Sequence, residues 1–216
     1  MCIISASDYL NPVREELKKL WPENRTVNII CHGHSVPAGY FVTPEVHTFD
    51  AYPHLLHKKI KAKYPNAVVN VIVTAIGGET SLSGAARFEN DVLCHKPDVM
   101  TIDYGLNDRR LELEAAEKSW RAMIEKALER GIKIILLTPS WDISYNEKDE
   151  SWRRLEKNAE QIRKLAESYQ VGLSDSFAAF DRFVQNSGQL SALLSYPNHP
   201  GRQGHRLIAR ELAKWF

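Results

Sequence analysis

The sequence predicts an α/β protein, a three-layer α/β/α sandwich built on a five-stranded parallel sheet. Two regularities carry that expectation. Short apolar, often β-branched runs recur at 27–31, 68–74, 99–104, 133–138 and, more weakly, 171–174. They hold few charges, as strands buried on both faces of a parallel sheet must. Between them lie charged stretches whose apolar residues return at helical spacing, and strands alternating with helices imply right-handed crossovers.

Each helical stretch has its own signal. Residues 11–21 form a helix ahead of the first strand. In 55–64 apolar residues fall near helical spacing, and Pro53 suits a first turn. In 111–130 one stripe carries Leu113, Ala116, Trp120, Met123, Ile124 and Ala127, and it stops at Gly131. Residues 152–169 repeat the pattern with Leu155, Ala159, Ile162, Leu165 and Ala166. A last helix starts near Gln203 and carries Leu207, Ile208, Leu212 and Trp215.

A chain of 216 residues without a linker or repeat predicts one domain over 1–216, with 1–26 as a helical extension packed on it. The formal charge of +1 gives no reason to expect nucleic acid or an anionic membrane as partner. No run approaches the roughly 18 apolar residues of a membrane span. The start lacks the basic and then apolar pattern of a signal peptide. Cys2, Cys31 and Cys94 are odd in number and show no CxxC spacing, which supports neither a disulfide framework nor a zinc site. A cytoplasmic setting follows as the expectation.

In open parallel sheets ligands bind beyond the carboxyl ends of the strands, so chemistry belongs in the loops after these runs. The first loop reads Cys31-His32-Gly33-His34-Ser35-Val36-Pro37. Its glycine permits a sharp turn that exposes the Ser35 hydroxyl, although Gly and Ser populate ordinary turns as well. The second reads Ala75-Ile76-Gly77-Gly78-Glu79-Thr80-Ser81. Paired glycines let a backbone N–H approach a ligand, or merely make a tight strand-to-helix turn. In the third, Tyr104-Gly105-Leu106-Asn107-Asp108, the Asn amide serves either an oxyanion or a helix cap. The fourth, Pro197-Asn198-His199-Pro200-Gly201-Arg202-Gln203-Gly204-His205, places a histidine in a loop before the last helix.

A metal site is the rival reading, since His32 and His34 form an H-x-H pair and His47, His54, His57 and His95 add imidazoles. Alternate residues on a strand point to opposite faces, and no acidic companion motif lies nearby, so no metal ligand is assigned.

Taken together, the four segments resemble the blocks of the SGNH (GDSL-type) hydrolases over about 27–216. GHSV stands for the GDS block, GGETS for the second-block glycine, GLND for the G-x-N-D block and NHPGRQGH for the histidine block. The resemblance implies a flavodoxin-like sheet, Ser35 as nucleophile and His199 as general base. It implies an oxyanion hole made of the Ser35 and Gly78 N–H groups and the Asn107 amide, with no cofactor. The substrate it implies is a small-molecule ester, expected here to be an acetyl group on a carbohydrate, with residues 38–44 as one wall of the site. From their place after the fourth strand, Trp141 and Tyr145 are candidates to stack on a sugar ring, or else surface aromatics or packing under a loop. Oligomeric state is left open.

Two positions depart from the family pattern. His34 replaces the Asp of the GDS block, which implies altered local hydrogen bonding. Tyr196 stands three residues before His199, where the family places an Asp. Losing that carboxylate costs a triad up to about 10⁴-fold in rate. Three outcomes stay open: a Ser35–His199 dyad oriented by Asn198 or a backbone carbonyl, replacement by Asp142, or a weakened enzyme. The alternative function is a binding protein for a sugar or acyl ligand.

Overall fold

The computed structural model describes residues 6–186 and 188–216, so Cys2 and the first residues of the expected 1–26 extension lie outside the described residues. Strands β1 (Val27–Gly33), β2 (Val69–Val73), β3 (Val99–Asp103), β4 (Lys133–Leu137) and β5 (Gly172–Ser174) form one sheet. The order is β2-β1-β3-β4-β5, and every neighbouring pair is parallel. All five expected strands are present, with ends shifted by up to two residues. A short antiparallel hairpin, β6 (Leu194–Tyr196) and β7 (His199–Pro200), adds a feature absent from the expectation.

Among the described residues seven longer helices accompany the sheet: α1 (Asn11–Lys18), α2 (Tyr52–Lys63), α3 (Ser81–Asp91), α4 (Leu113–Leu128), α5 (Glu150–Tyr169), α6 (Ser176–Asn186) and α7 (Arg202–Ala213). Five of them match the periodic stretches, while α3 and α6 were not anticipated. Leu113 also departs from its expected place on the α4 stripe, being 40% exposed at the helix start.

The strands explain their own composition. On β1, Ile29 and Cys31 face one core layer and Ile30 the other; on β4, Ile135 and Leu137 oppose Ile134 and Leu136. Both faces are therefore apolar, and the alternation is visible only in which layer each side chain joins. The first layer holds Leu56 and Ile60 of α2 with Ile208 and Leu212 of α7. Leu10, Val13 and Leu17 bring α1 into the same layer. The second layer holds Phe88 of α3, Trp120, Met123 and Ile124 of α4, and Ile162 and Leu165 of α5.

The topology fixes where the chemistry falls. From β1 the chain moves out to β2, then crosses back to β3 on the other side of β1. Strand order thus reverses between β1 and β3, and the crevice beyond their carboxyl ends is the natural ligand position. Gly33 ends β1 opposite Asp103 of β3. A Cβ there would stand 2.5 Å from the Asp103 carbonyl oxygen and 2.8 Å from Pro37 Cγ. Gly33→Ala is therefore expected to cost about 1–3 kcal/mol, the range for overpacking. Urea denaturation of both proteins measures it, and an unchanged midpoint would refute the steric account.

Candidate active site

The nucleophile candidate leaves β1 through a helix cap. His34 takes a non-helical conformation, and its Nδ1 accepts the Val36 N–H at 3.3 Å, so the ring fills the N-cap role usually held by Asp, Asn or Ser. Ser35 opens a one-turn helix, Ser35–Ala38, that ends at Gly39 with φ +91°. As its first residue, Ser35 has an N–H with no acceptor inside that helix. On the far side of the ring, His34 Nε2 lies 3.6 Å from Asp103 Oδ1, and Asp103 Oδ2 accepts the Tyr52 hydroxyl at 3.1 Å. His34, standing where the family pattern has Asp, thus links the start of this helix to the end of β3.

The β6–β7 hairpin delivers His199 to the same point. Its Nε2 lies 2.9 Å from Ser35 Oγ, and its Nδ1 lies 2.8 Å from the Phe41 carbonyl oxygen. A carbonyl only accepts, which places the ring proton on Nδ1 and leaves the Nε2 lone pair facing the serine hydroxyl. Burial lowers the His199 pKa below 6.5; the Phe41 carbonyl pulls it back upward, and charge on His34 pushes it further down. Ser35 and His199, expected to meet from sequence, are thus brought together.

The second and third loops meet each other beside them. Ile76–Glu79 make a turn closed by the Glu79 N–H on the Ile76 carbonyl at 3.4 Å, with Gly78 at φ +81°. A Cβ at Gly78 would touch nothing within 4 Å, so the glycine is required by its left-handed backbone and not by space. The Gly78 N–H takes no backbone acceptor among the described residues. Asn107 Nδ2 donates to the Glu79 carbonyl at 2.8 Å, which leaves the amide one further N–H. Arg110 joins both loops, donating to the carbonyls of Gly78 at 2.8 Å and Asn107 at 3.3 Å. The helix-capping alternative raised for this segment is met by the neighbouring Asp108. Its carboxylate accepts the Ser81 N–H at the start of α3 and the Trp120 Nε1–H, both at 2.7 Å.

Several expectations are corrected. Asp142 does not replace the missing carboxylate: it pairs with Arg109 at 2.5 Å and accepts both the Ser144 N–H and hydroxyl. Asn198 does not orient the base either, because Nδ1 of His199 meets Phe41. Tyr196 is the cross-strand partner of His199 and is 51% exposed. Trp141 is only 2% exposed, with its ring stacked on Tyr145 at 4.3 Å, so it offers no free face to a sugar. His32 and His34 do not act as a pair. Burial and the nearby Arg87 push the His32 pKa down to about 4, and its ring bonds Thr74 and Tyr104. Among the described residues no group of three or more His, Cys, Asp or Glu could hold a metal ion. None of the described helices is long and apolar enough to cross a membrane. Sequence reasoning missed Phe41 as a specific residue, since a backbone acceptor leaves no mark in residue type.

The sequence model of the GDSL-like lipase/acylhydrolase family matches residues 31–207, which span all four segments. The chain belongs to this family. It is an SGNH-type serine ester hydrolase, and a purely binding role is not favoured. An acetylxylan esterase from Geobacillus stearothermophilus is 30% identical over 166 residues, covering 70% of this chain and 74% of that protein. The crystal structure of an acetylxylan esterase from that organism superposes with a TM-score of 0.77 at 25% identity, covering 88% of this chain and 93% of the other. An alpha/beta hydrolase from the metagenome of Lake Arreo, Spain, gives 0.74 at 25% identity, over 87% and 94%. Solved catalytic mutants of the Geobacillus enzyme replace a serine, a histidine, and an aspartate three positions before that histidine.

His34 makes a separable contribution to this site. His34→Ala removes the cap acceptor and is expected to lower stability by about 1 kcal/mol, whereas His34→Asn retains a side-chain acceptor and most of that stability. Equal thermal midpoints for His34→Ala and wild type would show that the cap contributes nothing.

Proposed function

We propose that this esterase removes a short acyl group, an acetyl group carried by a carbohydrate, through an acyl-enzyme on Ser35. The observation that carries the reading is the 2.9 Å contact between Ser35 Oγ and a His199 Nε2 whose other nitrogen is committed to Phe41. Acetylxylan esterases among its relatives supply the substrate class.

In this reading Ser35 Oγ bonds to the ester carbonyl carbon while His199 Nε2 takes its proton. The tetrahedral oxyanion accepts N–H groups from Ser35, Gly78 and the free side of the Asn107 amide. Donors of this type are worth about 3–4 kcal/mol each when they meet the charge as it develops. The carbon–oxygen bond to the sugar then breaks, and that oxygen takes the proton from His199. Water repeats the sequence, giving the acid and free Ser35. The Phe41 carbonyl fixes tautomer and ring orientation, as the carboxylate of a triad does. It offers the imidazolium a partial charge in place of a full one.

Hydrolysis of p-nitrophenyl acetate through octanoate tests the assignment. Turnover is expected to be fastest on acetate, and Ser35→Ala should fall close to background, a loss on the order of 10⁴-fold or more. Equal rates from the two proteins would end the proposal. The pH dependence adds a second check. Activity follows the neutral fraction of His199, whose pKa is lowered from 6.5. So kcat/KM should rise with pH and reach half its plateau below pH 6.5. A midpoint above that value contradicts the assigned base.

A further inference from the structure

Tyr40 stands beside His199, and no step of the proposed mechanism uses it. Its ring lies in a stacked arrangement with the His199 ring, centroids 6.2 Å apart and planes 30° from parallel. The phenol end of the ring also reaches the turn that carries Gly77 and Gly78. A Cβ built at Gly77 would stand 3.0 Å from Tyr40 Cε2 and 3.3 Å from its hydroxyl oxygen. A side chain at Gly77 would press on the ring, so the glycine lets the phenol lie close against this turn. One aromatic side chain therefore spans from the base to the loop that carries Gly78, alongside Ser35.

The main chain beneath the ring is held at two places. The Tyr40 N–H donates to the Ser35 carbonyl at 3.0 Å, and Tyr40 pairs with Val46 in an antiparallel bridge. The following residue is Phe41, whose carbonyl receives His199 Nδ1. The backbone that carries the ring is thus tied to Ser35 and to the Phe41 carbonyl that receives His199.

Resting on the assignment of Ser35 and His199 above, we propose that Tyr40 is the residue that determines acyl-chain length. Its ring closes the acyl side of the site behind an acetyl group, so a longer chain meets the phenol before its carbonyl reaches Ser35. The specificity then comes from exclusion, the means by which a packed pocket rejects added methylenes.

The experiment compares kcat/KM on p-nitrophenyl acetate, butyrate and hexanoate for wild type, Tyr40→Ala, Tyr40→Leu and Tyr40→Phe, with thermal midpoints as a check on folding. Tyr40→Ala is expected to raise the hexanoate-to-acetate ratio by at least about tenfold, since one methylene alone shifts discrimination by about that much. Tyr40→Leu should give an intermediate ratio and serves if the alanine variant folds poorly. Tyr40→Phe should keep the wild-type ratio, because the ring and not the hydroxyl forms the wall. A parallel loss on all three esters would mean that Tyr40 only supports His199, and it would overturn the proposal. A Tyr40→Phe ratio as relaxed as that of Tyr40→Ala would overturn it as well. Ser35→Ala in the same assay separates the two levels. If that variant stays active, the underlying mechanism fails. If it is dead while Tyr40→Ala keeps the wild-type ratio, only the wall is refuted.

Discussion

A buried imidazole needs an acceptor for its ring N–H, and for His199 that acceptor is the main-chain oxygen of Phe41. The rest of the crevice is arranged around this contact. The β6–β7 hairpin brings His199 in from one side, and the turn after the Ser35–Ala38 helix brings Phe41 in from the other. That turn is itself pinned, with the Phe41 N–H on the Glu45 carbonyl at 3.0 Å and the His47 N–H on the Gly39 carbonyl at 2.8 Å. The Phe41 ring packs between His47 and His205, at 4.5 and 5.2 Å between centroids. His205 is fully buried, and desolvation drives its pKa down to about 3, so it sits there as a neutral aromatic plate. Its Nδ1 accepts the Tyr52 N–H, which ties the arrangement to the start of α2.

The carboxylates nearby serve other ends. Asp103 holds the Tyr52 hydroxyl and faces His34, Asp108 holds the starts of α3 and the Trp120 indole, and Asp142 holds Arg109 and Ser144. Each joins two or more segments at the carboxyl edge of the sheet. Burial raises the pKa of Asp108, and the hydrogen bonds from Ser81 and Trp120 act against that rise. A negative group at the first N–H of α3 also suits the positive end of the helix dipole. Because α3 begins just past the Gly78 turn, Asp108 fixes the far end of a loop whose near end is fixed by Ile76. These acidic side chains thus brace the frame around Ser35 and His199 without touching the Ser35 hydroxyl or the Nε2 of His199.

Much of this was readable in the sequence, for specific reasons. Strands buried on both faces appear as continuous apolar runs, and 27–31 or 133–138 admits few other readings. Helices α4 and α5 announce themselves because each buries a long stripe. Helix α3 does not, since SLSGAARFEND buries only Ser81, Gly84 and Phe88 and its hydrophobic signal is correspondingly thin. The proximity of Ser35 and His199, 164 residues apart, came from the order of motifs and could not have come from either segment alone. Asp142 misled for a related reason. Its position after a strand was right, but a sequence does not show that Arg109 and Ser144 already occupy its oxygens. Trp141 admits two readings in the sequence, a sugar-stacking face or packing under a loop, and its burial against Tyr145 agrees with the second.

Under the proposed Ser35–His199 mechanism, a carbonyl in place of a carboxylate changes what kind of alteration the site can survive. An acidic residue is erased by one codon change, and its charge is erased by a proton. The oxygen of residue 41 persists through any exchange of side chain at that position and never titrates. Its vulnerability lies in the path of the chain from Tyr40 to Val46, so a one-residue deletion within that stretch threatens the contact with His199 more than most replacements do.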